Sequence, residues 1–167
     1  ELHTLLEKSK VKGPYIIVAH SIGGLNARLF ADTYPKEVAG IVFVDPTHEE
    51  IFNVFKSKSP EGFEDLKANF SSPEGSFQDF LTSTDQVRET RKKDTLRNIP
   101  IIVLSSDIST IGSEDPIIGE WPKFQADIAT LSDKSKQITV ENAGHMIQSD
   151  NPKAVTDAIK ELIETVK

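Results

Sequence analysis

Cysteine is absent from all 167 residues. Its absence excludes disulfides, a thiolate nucleophile and any Cys-ligated metal site, and it is compatible with every compartment. No apolar run is long enough to span a bilayer. Positive charge is also in short supply. With 19 Lys and Arg against 26 Asp and Glu the net charge is -7, and no basic stripe stands out. Nucleic acid and an anionic membrane surface are therefore disfavoured as main partners. The four histidines are not at metal-ligand spacing, and no HExxH is present, so no metal is expected. No GxGxxG or Walker A pattern occurs either. Glu1, not Met, opens the chain; an upstream leader or anchor is left open, and no localisation is assigned.

What remains is a chain of soluble composition, 37% hydrophobic and 27% charged, long enough for one domain with a real core. Its organising stretch is Tyr15-Ile16-Ile17-Val18-Ala19-His20-Ser21-Ile22-Gly23-Gly24. A β-branched run passes straight into small-His-Ser-x-Gly and then into a helical pattern. This is the shape of a nucleophile elbow, in which a sharp strand-to-helix turn projects a serine hydroxyl clear of the backbone. Such a turn needs small residues two places either side of the serine, and Ala19 and Gly23 are small. The helix that follows would direct its first N–H groups at the site, so the Ile22 N–H is the expected oxyanion donor.

The rest of the chain alternates between strands and helices. Residues 1–9 read as the end of a helix, broken by Gly13-Pro14. Tyr15 to Ala19 reads as a strand buried on both faces. Residues 22–34 read as a helix with Leu25, Leu29 and Phe30 inward, and Gly40 to Asp45 as a second buried strand. Residues 47–98 change character, being polar, charged and interspersed with phenylalanine. They read as several helices inserted between strands. Ser59-Pro60 and Ser72-Pro73 are expected helix starts, and Thr84 to Lys93 a charged, solvated helix. Pro100 to Asp107 is the third strand, 108–119 an irregular segment, Trp121 to Leu131 a helix, and Ile138 to Val140 the fourth strand. Asn151-Pro152 then opens a final helix with Val155, Ile159, Leu162, Ile163 and Val166 inward. A βαβ series of this kind predicts an α/β fold, a parallel sheet with helices on both faces.

Ser21, Asp45, Asp107 and His145 each follow a strand, which places all four on the carboxyl rim of that sheet, where α/β folds carry their chemistry. A serine hydroxyl needs a base, and His145, in a Gly-His turn after the last strand, is the best base in the chain. The base in turn needs a carboxylate to hold its tautomer. Asp107 is the first choice and Asp45 the alternative. His20, beside the serine, is assigned packing or support. His3 is a bystander. His48 lies near the rim as a possible substrate contact. Trp121 is read as a core or interface residue.

These residues together resemble the C-terminal half of a serine-type α/β-hydrolase with a helical cap. The resemblance is carried by Ala19 to Leu25, Ala31 to Pro35, Val38 to His48, Trp121 to Ser132 and Ala143 to Pro152. It implies a nucleophile at Ser21, an acid at Asp107 and a base at His145, in the chain order Ser, Asp, His of that family. It also implies a cap at 47–98 that shapes substrate choice, and cleavage of a carboxylic ester or related acyl bond in a small-molecule acyl substrate without a cofactor. Acyl transfer by the same residues, or a non-catalytic scaffold, are the alternatives. The family fold has eight strands, and the resemblance covers the last four. The expected partner is therefore the N-terminal half of the fold, or a second copy through the exposed edge of the Ser21 strand. With one oxyanion donor contributed from elsewhere, the chain alone is expected to turn over poorly.

Overall fold

The computed structural model describes residues 1–70, 75–107 and 117–167. Four strands, β1 (Tyr15–His20), β2 (Val38–Val44), β3 (Ile101–Ser106) and β4 (Ser135–Val140), form one sheet in the order β1-β2-β3-β4. All three pairings are parallel, as the βαβ series requires. β4 begins three residues before its expected start, because Ser135, Lys136 and Gln137 pair with Ile101, Ile102 and Val103 despite their polarity.

Alternation along the two central strands divides the core. Ile41, Phe43, Ile101 and Val103 face one side, where they meet Ala27, Phe30 and Ala31 of α2 (Gly23–Thr33) and Ile128 of α6 (Trp121–Ala129). Val42, Val44, Ile102 and Leu104 face the other, against Ile147 of the short α7 (Ile147–Asp150) and Val155, Ala158 and Leu162 of α8 (Pro152–Thr165). Each face of the sheet is thereby covered by helix. β1 departs from the expectation of burial on both faces: it is an edge of the sheet, and Val18 is 46% exposed.

Between β2 and β3 lie α3 (Ile51–Lys58), α4 (Pro60–Asn69) and α5 (Phe77–Arg91). The expected helix start at Ser59-Pro60 is present, with Pro60 opening α4. The one at Ser72-Pro73 falls outside the described residues, as does most of the segment 108–119. α5 begins seven residues before its expected start, at a capping box in which Ser76 and Asp79 exchange side-chain and backbone hydrogen bonds. A layer of edge-on phenylalanines, Phe52, Phe63, Phe70, Phe77 and Phe80, holds α3, α4 and α5 together, with ring centroids 5.0–5.6 Å apart.

Candidate active site

The carboxyl ends of β1, β2 and β4 converge. Ser21 leaves β1 with φ 52°, and Asp45 leaves β2 with φ 44°. For residues with a Cβ, each such left-handed conformation costs about 1–3 kcal/mol and persists where the surroundings enforce it. They do so here. The Ser21 N–H donates to the Val44 carbonyl at 3.2 Å, and the Thr47 N–H donates to the Ser21 carbonyl at 2.9 Å. The two turns thus lock one another. The close approach falls at Gly24: a Cβ there would stand 2.8 Å from the Pro46 Cβ, whereas one at Gly23 would stand 4.0 Å from Ala19.

His145 joins the two turns. Its Nε2 lies 2.9 Å from Ser21 Oγ and its Nδ1 lies 2.7 Å from Asp45 Oδ2. The carboxylate on His145 is therefore Asp45, not the first-choice Asp107. Asp107 instead accepts the Asn142 N–H at 3.2 Å, and its own N–H donates to the Ala143 carbonyl at 2.8 Å, so it braces the loop that delivers His145. Asp45 is fully buried. Its other oxygen, Oδ1, accepts the Ser106 N–H at 2.8 Å and Trp121 Nε1–H at 3.0 Å. Three hydrogen-bonding groups on three segments thus fix one carboxylate. Trp121 is more than a packing residue. It holds the far oxygen of Asp45 and stands edge-on to the His145 ring, with centroids 5.7 Å apart.

His20 lies against His145, ring centroids 4.7 Å apart, and donates from Nε2 to the His145 carbonyl at 2.9 Å. That is the supporting role expected of it. Ile22 stands at the N-cap of α2, beside helix N–H groups that have no acceptor within the helix. His48 is not at the rim opening. It is 5% exposed, stacked on Phe124 with centroids 4.6 Å apart, and bonded through Nε2 to Asp127 Oδ2 at 2.7 Å. His48, expected near the rim as a possible substrate contact, is placed behind it and lines neither of the cavities that open on His145.

Behind the site runs a charged network that the sequence reading passed over. Arg28 of α2, 1% exposed, holds both oxygens of Glu49, itself 2% exposed, at 2.5 and 2.9 Å. Arg91 of α5 bridges Glu49 and Asp127 at 2.8 and 2.5 Å, and Arg88 holds Glu50 at 2.5 Å. Burial opposes ionisation of Glu49, but the bonds and charge of Arg28, with those of Arg91, outweigh it and hold its carboxyl well below the ordinary range. Asp127 is shifted down in the same way, against its burial, by His48 and Arg91. The C-terminal part of α5, expected to be a solvated face, is thus pinned to the segment that follows Asp45. His48, Glu49 and Asp127 bring one metal-ligating atom each within 4.8 Å of one another, but arginines already occupy the two carboxylates.

Two cavities open on His145. One of about 830 Å³ contains Ser21, Ile22 and Asn26 and rises to Phe70, Phe80 and Met146. The other, about 390 Å³, lies between Asp45, Phe55, Leu66, Ile117 and Trp121. Among the described residues no helix is long and apolar enough to cross a membrane.

Comparison with known proteins agrees with this architecture. A sequence model of the alpha/beta hydrolase fold matches residues 1–98. The uncharacterized protein YqjL of Bacillus subtilis strain 168 is 30% identical over 161 residues, 95% of this chain and 60% of YqjL. The chain therefore spans about three fifths of that relative. Among solved structures, a probable hydrolytic enzyme from Pseudomonas aeruginosa PAO1 superposes with a TM-score of 0.61 at 19% identity, over 96% of this chain and 66% of that one. A thermophilic esterase from Thermogutta terrifontis superposes with a TM-score of 0.59 at 18% identity, over 99% and 70% respectively. At these identities the likeness is one of fold.

Proposed function

This chain belongs to the alpha/beta hydrolase fold family, and from that premise we propose that it carries the catalytic centre of a serine hydrolase that cleaves carboxylic esters through an acyl-enzyme on Ser21. The observation that supports this best is the continuous hydrogen-bonded line from Ser21 Oγ through the His145 ring to a buried Asp45. Ser21, His145 and Asp45 form the triad, the Ser21 turn is the elbow, and the helices between β2 and β3 form the cap of a partial hydrolase domain.

In this reading Ser21 Oγ attacks the ester carbonyl carbon as its proton passes to His145 Nε2. Asp45 keeps the Nδ1–H tautomer in place and stabilises the imidazolium. The carbonyl oxygen becomes an oxyanion facing the Ile22 N–H at the start of α2. The carbon–oxygen bond to the alcohol then breaks, and that oxygen leaves with the proton from His145. Water, deprotonated by the same ring, attacks the acyl-enzyme and releases the acid and Ser21. No redox step enters.

The test is intact-mass analysis after incubation with a fluorophosphonate. One adduct, mapped to Ser21 and lost in Ser21→Ala and His145→Ala, is expected. Labelling that survives Ser21→Ala, or none in the parent chain, refutes the assignment.

A further inference from the structure

The two cavities that meet at His145 differ in what they can bind. Ile51, Phe52 and His145 line both, so these three side chains form the partition between them. The larger cavity holds Ser21 and Ile22, the nucleophile and the oxyanion donor of the proposed reaction. The smaller holds neither. Its described lining beyond the partition is Asp45, Phe55, Leu66, Ile117, Ile118 and Trp121. The polar atoms there are already engaged: both Asp45 oxygens accept hydrogen bonds, and the Trp121 Nε1–H donates to one of them. No Lys or Arg is among the described residues that line either cavity. A carboxylate, phosphate or sulfate on the substrate would find no countercharge, and desolvating it there would be costly.

We propose that the substrate is an uncharged ester whose apolar alcohol portion occupies the small compartment of Phe55, Leu66, Ile118 and Trp121 and whose acyl portion occupies the large one, where Asn26, Thr47, Asp79 and Ser83 stand among the lining. This rests on the serine-hydrolase reading above. The assignment of arms follows from the proton. The alcohol oxygen takes its proton from His145, so the alcohol must lie against that ring, while the acyl group stays on Ser21 after the alcohol has gone. The compartment that touches His145 but not Ser21 fits the group that leaves. The volume of about 390 Å³ is within the range of small-molecule sites. Because each buried methylene contributes about 0.8 kcal/mol, lengthening the alcohol there should raise kcat/KM roughly three- to fourfold per methylene until the compartment is full.

The experiment compares two ester series by pH-stat on the purified chain: acetates of ethanol, butanol, hexanol and octanol, and ethyl esters of the corresponding acids. Leu66→Trp, which fills the small compartment, and Ser83→Trp, at the wall of the large one, are run beside it. A rise along the alcohol series, with an octyl-to-ethyl ratio that collapses in Leu66→Trp but not in Ser83→Trp, is expected. A monoanionic hemisuccinate ester should run at least tenfold below its neutral counterpart. An alcohol series that is flat or insensitive to Leu66→Trp, read at enzyme concentrations high enough to follow slow turnover in a chain whose Ser21 still labels with fluorophosphonate, overturns the arm assignment and leaves the nucleophile standing. Loss of Ser21 labelling in the parent chain overturns the underlying reading, and the inference with it.

Discussion

Replacing Asp45 by Asn should disable His145 by reversing its tautomer, and the magnitude can be worked from the contacts. Asp45 Oδ1 accepts two hydrogen bonds, from the Ser106 N–H at 2.8 Å and Trp121 Nε1–H at 3.0 Å. An asparagine has one acceptor oxygen and one donor amide. The two fixed donors select the oxygen for their side, which turns the NH2 toward His145 Nδ1, where Asp45 Oδ2 now stands at 2.7 Å. The ring must then accept at Nδ1 and carry its proton on Nε2, the nitrogen that faces Ser21 Oγ at 2.9 Å. In that tautomer it cannot take the serine proton. The same exchange in the serine protease used as the general template lowers kcat by about 10⁴, equivalent to roughly 5.5 kcal/mol in the barrier. Asp107→Asn leaves this arrangement untouched, since the Asp107 carboxylate accepts from the Asn142 N–H. The assay is the second-order rate of fluorophosphonate adduct formation at neutral pH, read by intact mass. Asp45→Asn should slow it by about three to four decades and Asp107→Asn by less than about tenfold. Equal losses in the two variants, or a larger loss in Asp107→Asn, would refute the reasoning.

Four further outcomes can be checked independently. Trp121→Phe removes one donor to a charged acceptor and should slow labelling of Ser21 by roughly tenfold, with little change in the far-ultraviolet circular dichroism spectrum. Ser21→Gly relieves a left-handed backbone and should raise the thermal midpoint by about 2–4 °C, a net gain near 1 kcal/mol, while abolishing labelling. Glu49→Gln leaves the buried Arg28 without its countercharge and should cost about 3–5 kcal/mol, or roughly 6–20 °C in midpoint by calorimetry. The parent chain should show the matching acid sensitivity. Glu49, Glu50 and Asp127 have carboxyls held below their usual range in the folded state, so the unfolded chain binds more protons as acid is added. Their contribution is complete above about pH 4.5 and fades below it. A midpoint that is unchanged between pH 5 and pH 3 would contradict this.

The strands, their parallel direction and the positions of Ser21 and His145 after strands were legible because each depends on local pattern: a β-branched run, a small-residue turn, a Gly-His turn after a strand. The choice between Asp45 and Asp107 was not, since both follow apolar strands. One signal was present. Asp45 ends an unbroken apolar run from Ile41 to Val44 and is followed by Pro46, whereas Asp107 follows two serines. A carboxylate so enclosed must be buried and must therefore find donors. Arg28 carried a similar signal, three residues after Leu25 on the apolar side of α2, where it is fully buried. The pairing of Arg88 and Arg91 with Glu49 and Glu50 spans about forty positions in the chain, and no local pattern reports it. The left-handed backbone at Ser21 and Asp45 is likewise a product of the two turns bonding to each other.

The ion pairs of α5 have a consequence for how this protein can change. The joint between the insertion and the helices on the sheet lies at Glu49 and Arg91, which pair with Arg28 of α2 and Asp127 of α6, whereas the side chains facing the two cavities from the insertion include Phe52, Phe55 and Leu66 of α3 and α4 and Phe80 and Ser83 of α5. Attachment and selection are thereby written in different residues. The cavity walls can drift, or be exchanged by design, while the hinge-pin of arginines and glutamates keeps each new wall in register with the serine beneath it. A library that varies the first set and spares the second would explore specificity on a constant frame.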